Sequence, residues 1–230
     1  MRAVILAGGR GTRLRPYTTI IPKPLVPVGD RPILQHIIEQ LARCGVDRVD
    51  LCVNYLGELI ETYFARSTCA PAGVDLRWHW EERPLGTAGA LGIIPDLDET
   101  FIAMNGDVLT SFDYCDLLRH HREVGADLTI AMTRKPVRID LGVIETESGW
   151  VRRYVEKPTL AYDVSMGIYA YEPSVLRHLP EGPCQFPDFV QLLLEARRKV
   201  AVLRSDASWY DIGTPAEYER AISDVSLIDG

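Results

Sequence analysis

The 230-residue sequence predicts an α/β fold: a Rossmann-like, mostly parallel sheet flanked by helices, with a small antiparallel extension. Three observations carry that reading. Short apolar runs alternate with helical patterns through the first half of the chain. A glycine-rich turn follows the first apolar run directly. The rhythm then changes over residues 141–171, where several short strands follow one another with no helical span between them.

Residues 3–7 form a continuous apolar run that stops at Gly8-Gly9, the pattern of a strand buried on both faces. A polar, proline-rich loop extends to about residue 31. Pro32 stands near a helix start, where a missing N–H costs nothing, and Ile33, Leu34, Ile37, Ile38 and Leu41 recur at helical spacing. Residues 49–53 read as the second strand, and Asn54 as the cap of a helix running to about residue 66. A third strand is expected at 74–80, a short helix at 87–94, and a fourth strand at 101–105 that ends at Gly106-Asp107. A helix at 113–122 and a strand at 128–133 follow. Short strands around Val143, Val151 and Ile168 make up the extension. A helix at 187–198 and a strand at 200–203 precede Thr214-Pro215-Ala216-Glu217, a capping box with proline at the first helical position. No linker or repeat interrupts the chain, so residues 1–230 are expected to form one domain.

Composition narrows the function. Hydrophobic residues make up 47% and charged residues 25%, an ordinary globular balance. The net charge of −7 argues against binding nucleic acid through bulk electrostatics. No apolar run approaches the roughly 20 residues that span a bilayer. The five cysteines form no CxxC pair, which points to reduced thiols and a cytoplasmic protein rather than a zinc site or a disulfide framework.

In a sheet of this kind, ligands bind beyond the carboxyl ends of the strands. Gly8-Gly9-Arg10-Gly11-Thr12-Arg13 lies there, with backbone N–H groups suited to an anion and guanidinium groups suited to phosphate oxygens. It has neither the GxGxxG spacing nor the GK[ST] of a P-loop. Lys23 follows, pinned between Pro22 and Pro24. Asp107 follows a strand end and a glycine, Asp211 lies just before the capped final helix, and both are candidate ligands for magnesium, which favours one or two carboxylates with phosphate oxygens and water.

These residues resemble the signature of the sugar nucleotidyltransferases, also called NDP-sugar pyrophosphorylases. The likeness rests on residues 6–16 and Pro22-Lys23-Pro24-Leu25. It continues through Pro84-Leu85-Gly86-Thr87-Ala88-Gly89, Asn105-Gly106-Asp107, Glu156-Lys157-Pro158 and Trp209-Tyr210-Asp211-Ile212-Gly213-Thr214. The resemblance implies that Leu6, Ala7, Gly8, Gly9, Gly11, Thr12, Arg13, Lys23, Glu81, Pro84, Gly86 and Thr87 bind the nucleotide, and that Arg13, Lys23 and Asp107 are catalytic. It implies that Gly142, Glu156, Lys157, Ser165 and Gly167 bind the sugar phosphate, and that Asp107 and Asp211 hold Mg2+. Where many family members carry Asn-x-Gly, this chain has Ser165-Met166-Gly167, which leaves the sugar's identity open.

Glu81 or Glu82 is the candidate base reader. A carboxylate only accepts hydrogen bonds, so it matches the N1–H and amine edge of guanine. Together with the likeness of Glu81-Glu82-Arg83-Pro84-Leu85-Gly86 to the guanylyltransferase branch, this favours GTP with a mannose- or heptose-type 1-phosphate. Thymidylyl, uridylyl or cytidylyl transfer to another sugar 1-phosphate or to phosphocholine is the alternative, as is a non-catalytic NDP-sugar sensor. The chain is expected to be a short catalytic domain, and a homo-oligomer stays open.

Overall fold

The structure, a computed structural model, describes residues 1–65 and 69–224. A seven-stranded sheet forms its centre, in the order β12-β8-β11-β6-β1-β4-β5. These strands are β1 (Arg2–Leu6), β4 (Arg48–Val53), β5 (Asp75–Trp80), β6 (Phe101–Asn105), β8 (Leu128–Arg138), β11 (Thr159–Tyr171) and β12 (Val200–Arg204). All adjacent pairs are parallel except the two made by β11, which runs antiparallel to both β6 and β8. Three two-stranded ribbons surround it: β2 (Pro27–Val28) with β3 (Arg31–Pro32), β7 (Val108–Thr110) with β13 (Trp209–Asp211), and β9 (Gly142–Glu147) with β10 (Trp150–Glu156). The α-helices are α1 (Ile33–Arg43), α2 (Gly57–Phe64), α3 (Gly86–Gly89), α4 (Tyr114–Val124), α5 (Phe186–Glu195) and α6 (Pro215–Ser223).

The predicted parallel architecture holds, and the main difference lies at β11. A short strand near Ile168 was expected at the margin of the sheet. Instead β11 runs for 13 residues and its second half inserts between β6 and β8. Met166 to Tyr171 are buried there, because this stretch has the continuous apolar character that a central strand needs. Its exposed first half pairs with the end of β8, which therefore runs to Arg138 rather than stopping at residue 133. The extension is the β9–β10 hairpin standing beyond it.

The α1 stripe is fully buried: Ile33, Leu34, Ile37, Ile38 and Leu41 are all inaccessible. Each such side chain contributes roughly 1.5–3 kcal/mol on burial, so this stripe fixes the helix against the sheet. Asp113 caps α4 by accepting from the Cys115 N–H at 2.8 Å. Thr214 caps α6 through the Glu217 N–H at 3.3 Å.

Asn54 does not cap α2. Leu56 occupies the cap position in the left-handed region, and the Asn54 amide instead donates to the Glu81 carbonyl at 2.6 Å. The expected helix end at residue 66 lies outside the described residues. The short helix at 87–94 resolves into α3 and a following 3-10 turn at Ala90–Ile93. The cysteine reading also needs correction: Cys44 and Cys115 are joined as a disulfide across 71 positions of sequence. No spacing motif marks such a pair, because the fold alone brings α1 and α4 together.

Candidate active site

The carboxyl ends of β1, β5 and β6 open onto a cleft of about 260 Å³. Leu6, Gly8, Gly9, Glu81, Pro84, Gly86, Thr87, Ala90, Asn105 and Asp107 line it. Seven of the residues expected to bind a nucleotide therefore meet in one place, beside Asp107. Ala7 is buried behind them, its N–H donated to the Cys52 carbonyl at 2.8 Å. Ala90 and Asn105 were missed. Asn105 was legible in principle, since it ends the strand that delivers Asp107.

Two glycines explain the tightness of the first loop. A Cβ on Gly8 would stand 2.7 Å from Glu81 Oε1, so only glycine allows that carboxylate to sit against the loop. Gly11 adopts φ +58°, and a side chain there would press on Thr18 and Lys23. The Thr18 hydroxyl donates to the Gly11 carbonyl at 2.7 Å and closes the turn. Thr12 and Arg13 follow on an exposed 3-10 turn.

Glu81 faces the cleft, whereas Glu82 is exposed outside its lining. The Leu85 N–H donates to Glu81 Oε2 at 2.8 Å. Burial pushes the Glu81 carboxyl above its ordinary value, and that hydrogen bond opposes the shift. Pro84 to Gly89 is buttressed from behind: the Ala88 and Gly89 N–H groups donate to the Cys184 carbonyl at 3.0 Å, and Thr87 Oγ1 accepts from the Phe186 N–H at 2.8 Å.

Lys23, only 7% exposed, lies at the centre of the charged residues. Its ammonium pairs with Asp107 Oδ2 and lies 4.0 Å from Asp211 Oδ1. The two aspartates, far apart in sequence, are held together by the β7–β13 ribbon. Asp211 pairs with Val108, and the Ile212 N–H donates to the Asp107 carbonyl at 3.1 Å. The Arg13 guanidinium packs on Gly213, where a Cβ would meet it at 3.1–3.3 Å. Burial and the neighbouring Asp107 push the Asp211 carboxyl above its ordinary value, opposed by Lys23 and Arg13. Asp107 Oδ1 is buried without a hydrogen-bond partner among the described residues. A buried carboxylate oxygen with nothing donating to it, next to a second carboxylate, is a donor set suited to a hard divalent cation.

The expected acceptor residues divide into two groups. Gly167 packs against Asn105 of the cleft wall and Ser165 is tied to Gly167, but neither lines the cleft itself. Gly167 adopts φ +74° at a register slip in β11, and a Cβ there would lie 2.6 Å from the Asn105 amide nitrogen. The Gly167 N–H donates to Ser165 Oγ at 3.2 Å. Gly142, Glu156 and Lys157 stand apart on the β9–β10 hairpin, and none of them lines the cleft. Gly142 pairs with Glu156. The Tyr154 ring covers Gly142 so closely that an added Cβ would meet its hydroxyl at 2.0 Å, and that hydroxyl donates to Glu156 Oε2 at 3.2 Å. Lys157 has φ +46°, an uncommon conformation for a lysine, with its N–H donated to the Leu141 carbonyl at 3.2 Å.

The chain is similar to several known proteins. The chain is 34% identical over 226 residues to a mannose-1-phosphate guanylyltransferase catalytic subunit beta of Danio rerio, covering 95% of this chain and 62% of that one. It is 34% identical over 227 residues to a probable mannose-1-phosphate guanylyltransferase 1 of Oryza sativa subsp. japonica, covering 95% and 63%. It thus spans a little under two thirds of the length of these relatives. Among solved structures, HddC from Yersinia pseudotuberculosis superposes with a TM-score of 0.74 at 26% identity, covering 97% of this chain and 99% of that one. A putative glucose-1-phosphate thymidylyltransferase from Bacillus anthracis shares the fold, with a TM-score of 0.77 at 23% identity over 97% and 94% of the two chains. The family model for nucleotidyl transferases matches residues 2–226: the chain belongs to the nucleotidyl transferase family.

Proposed function

We propose that this chain transfers a guanylyl group from GTP to a mannose- or heptose-type sugar 1-phosphate, forming an NDP-sugar and releasing pyrophosphate. One observation carries the reaction class: Lys23, Asp107 and Asp211 converge beside the glycine-rich loop. Two features support the choice of base. Glu81 turns an acceptor-only carboxylate into the cleft, and the curated relatives at 34% identity are named mannose-1-phosphate guanylyltransferases.

The chemistry follows from charge. The acceptor phosphate is already an anionic nucleophile, so no general base and no covalent intermediate is required. What opposes attack on the α-phosphorus is repulsion between two anions. The loop N–H groups and Arg13 bind the triphosphate, and Lys23 neutralises charge that develops as pyrophosphate departs. Asp107 and Asp211 would hold a magnesium ion, which supplies further charge neutralisation when bound. Preorganised groups of this kind act through positioning and electrostatics. Lys157 and Glu156 serve the acceptor's phosphate and hydroxyls from the hairpin side.

Incubating the chain with magnesium, each nucleoside triphosphate and a panel of sugar 1-phosphates tests this. Pyrophosphate release is expected to be greatest with GTP and mannose 1-phosphate. Release that is greatest with another triphosphate would refute the base assignment alone. No release with any pair would refute the activity.

A further inference from the structure

The Cys44–Cys115 bond lies outside the cleft and joins α1 to α4, the helix that follows Asp107 and β7 in the chain. We propose that Cys44 and Cys115 are a reversible dithiol–disulfide site whose oxidised form clamps the β7–β13 ribbon to α1.

The backbone spacing suits a disulfide. The two Cα atoms are 5.6 Å apart, in the middle of the range for disulfides. Cys44 is the C-terminal cap residue of α1, and Cys115 lies in the first turn of α4. Both line a surface depression of about 330 Å³, which opens the sulfurs to small redox partners. The other cysteines contrast with them. Cys52 and Cys184 are free and buried, and burial pushes both thiols above their ordinary values, which suppresses the reactive thiolate. Cys69 is half-buried and belongs to no disulfide.

The bond reaches the carboxylates through a short run of contacts. Gln40 of α1 donates to the Thr110 carbonyl of β7 at 2.7 Å. The Thr110 hydroxyl donates to the Ser208 carbonyl at 2.6 Å, next to β13. The Ser111 N–H donates to the same carbonyl at 3.0 Å, and the Ser208 N–H donates to Ser111 Oγ at 3.0 Å. The segment from Asp107 to Cys115 is therefore stitched to the start of β13, and the disulfide anchors its far end to a helix whose apolar stripe is wholly buried.

The oxidant is a low-molecular-weight disulfide of the glutathione class. One protein thiolate attacks a sulfur of that disulfide and displaces one small thiol. The second protein thiolate then attacks the mixed disulfide and displaces the other. The protein gives up two protons and two electrons, and the small disulfide becomes two thiols. Dithiol reductants run the same exchange backwards.

The meaning of the ribbon rests on the proposed function, so the test reads the bond without turnover. The full chain is incubated with oxidised glutathione, alkylated in denaturant before and after reduction, and peptide-mapped. Expected are three alkylated cysteines in the oxidised protein, namely Cys52, Cys69 and Cys184, and five after reduction. Reduction should lower Tm by roughly 5–15 °C, the range for a disulfide of ordinary effect in a domain of this size. It should also speed amide exchange across residues 108–115 by about tenfold or more. Cys44→Ser and Cys115→Ser should each behave like the reduced protein and ignore the reductant. Five alkylated cysteines after oxidation overturn the proposal. So do equal Tm and equal exchange in the two states, or a zinc ion held by both thiols and the nearby Asp113.

Discussion

Lys23, Asp107 and Asp211 sit in a largely enclosed group of charges fixed by β7 and β13, whereas Gly142, Glu156 and Lys157 stand on a hairpin whose side chains are mostly exposed. On the donor side the charges are already placed before any substrate arrives. On the acceptor side only pairwise contacts hold the residues, and Tyr154, which orders two of them, is itself 60% exposed. The contrast matches what the proposed reaction requires of its two substrates. Polyphosphate neutralisation is common to the whole reaction class and benefits from rigid groups. Sugar recognition varies, and exposed hairpins tolerate variation.

Asp107→Asn is expected to have the largest effect. It keeps the shape and removes the buried carboxylate, so turnover should fall on the order of 100-fold or more while the circular dichroism spectrum is unchanged. Unchanged turnover would erase the distinction between the two sides. Glu81→Gln should come next. Replacing an acceptor-only group with one that also donates should lower kcat/KM for GTP by roughly 10–100-fold and narrow its margin over UTP. Equal losses for both triphosphates would remove Glu81 as base reader.

A third, smaller effect concerns pH. Asp211 is held above its ordinary value of 3.8 by burial and Asp107. The magnesium-free folded chain thus binds that proton more tightly than the unfolded chain does. This contribution to stability is fully present below the ordinary value and is lost as pH rises through the raised one. The stability difference between the parent chain and Asp211→Asn, read by denaturant unfolding, should therefore shift against the parent chain as pH rises from about 4. Parallel curves for the two proteins would contradict it. The smallest effect is expected from Tyr154→Phe, which keeps the ring over Gly142 and loses one hydrogen bond to Glu156. It should raise KM for the sugar phosphate about two- to tenfold and leave kcat alone. A drop in kcat would mean that the hairpin takes part in the chemistry and that the contrast is overdrawn.

The two sides were also unequally legible in the sequence. Gly8, Gly9, Glu81, Pro84, Gly86, Thr87 and Asp107 follow strand ends closely, and strand ends are what apolar runs reveal best. Their convergence needed only a parallel sheet. The partners of Gly142, Glu156 and Lys157 depend on strand pairing, and alternation says which face a residue occupies, not which neighbour it meets. Residues 159–171 show the same gap: the buried half was recognisable as strand, while its place between β6 and β8 was not. Asn54 misled because Leu56 takes the cap position, while the Asn54 amide donates to the Glu81 carbonyl. Cys44 and Cys115 carried no signal at all, being 71 residues apart on two helices.

The β7–β13 ribbon has a consequence for synthesis. Asp107 emerges from the ribosome well before its companion Asp211, which belongs to β13. A nascent chain can fold its first parallel strands and its glycine-rich turn while still lacking the second carboxylate. The aspartate pair is therefore completed in one step, when residues 209–211 dock, and a chain truncated before them retains a cleft with only half of that pair.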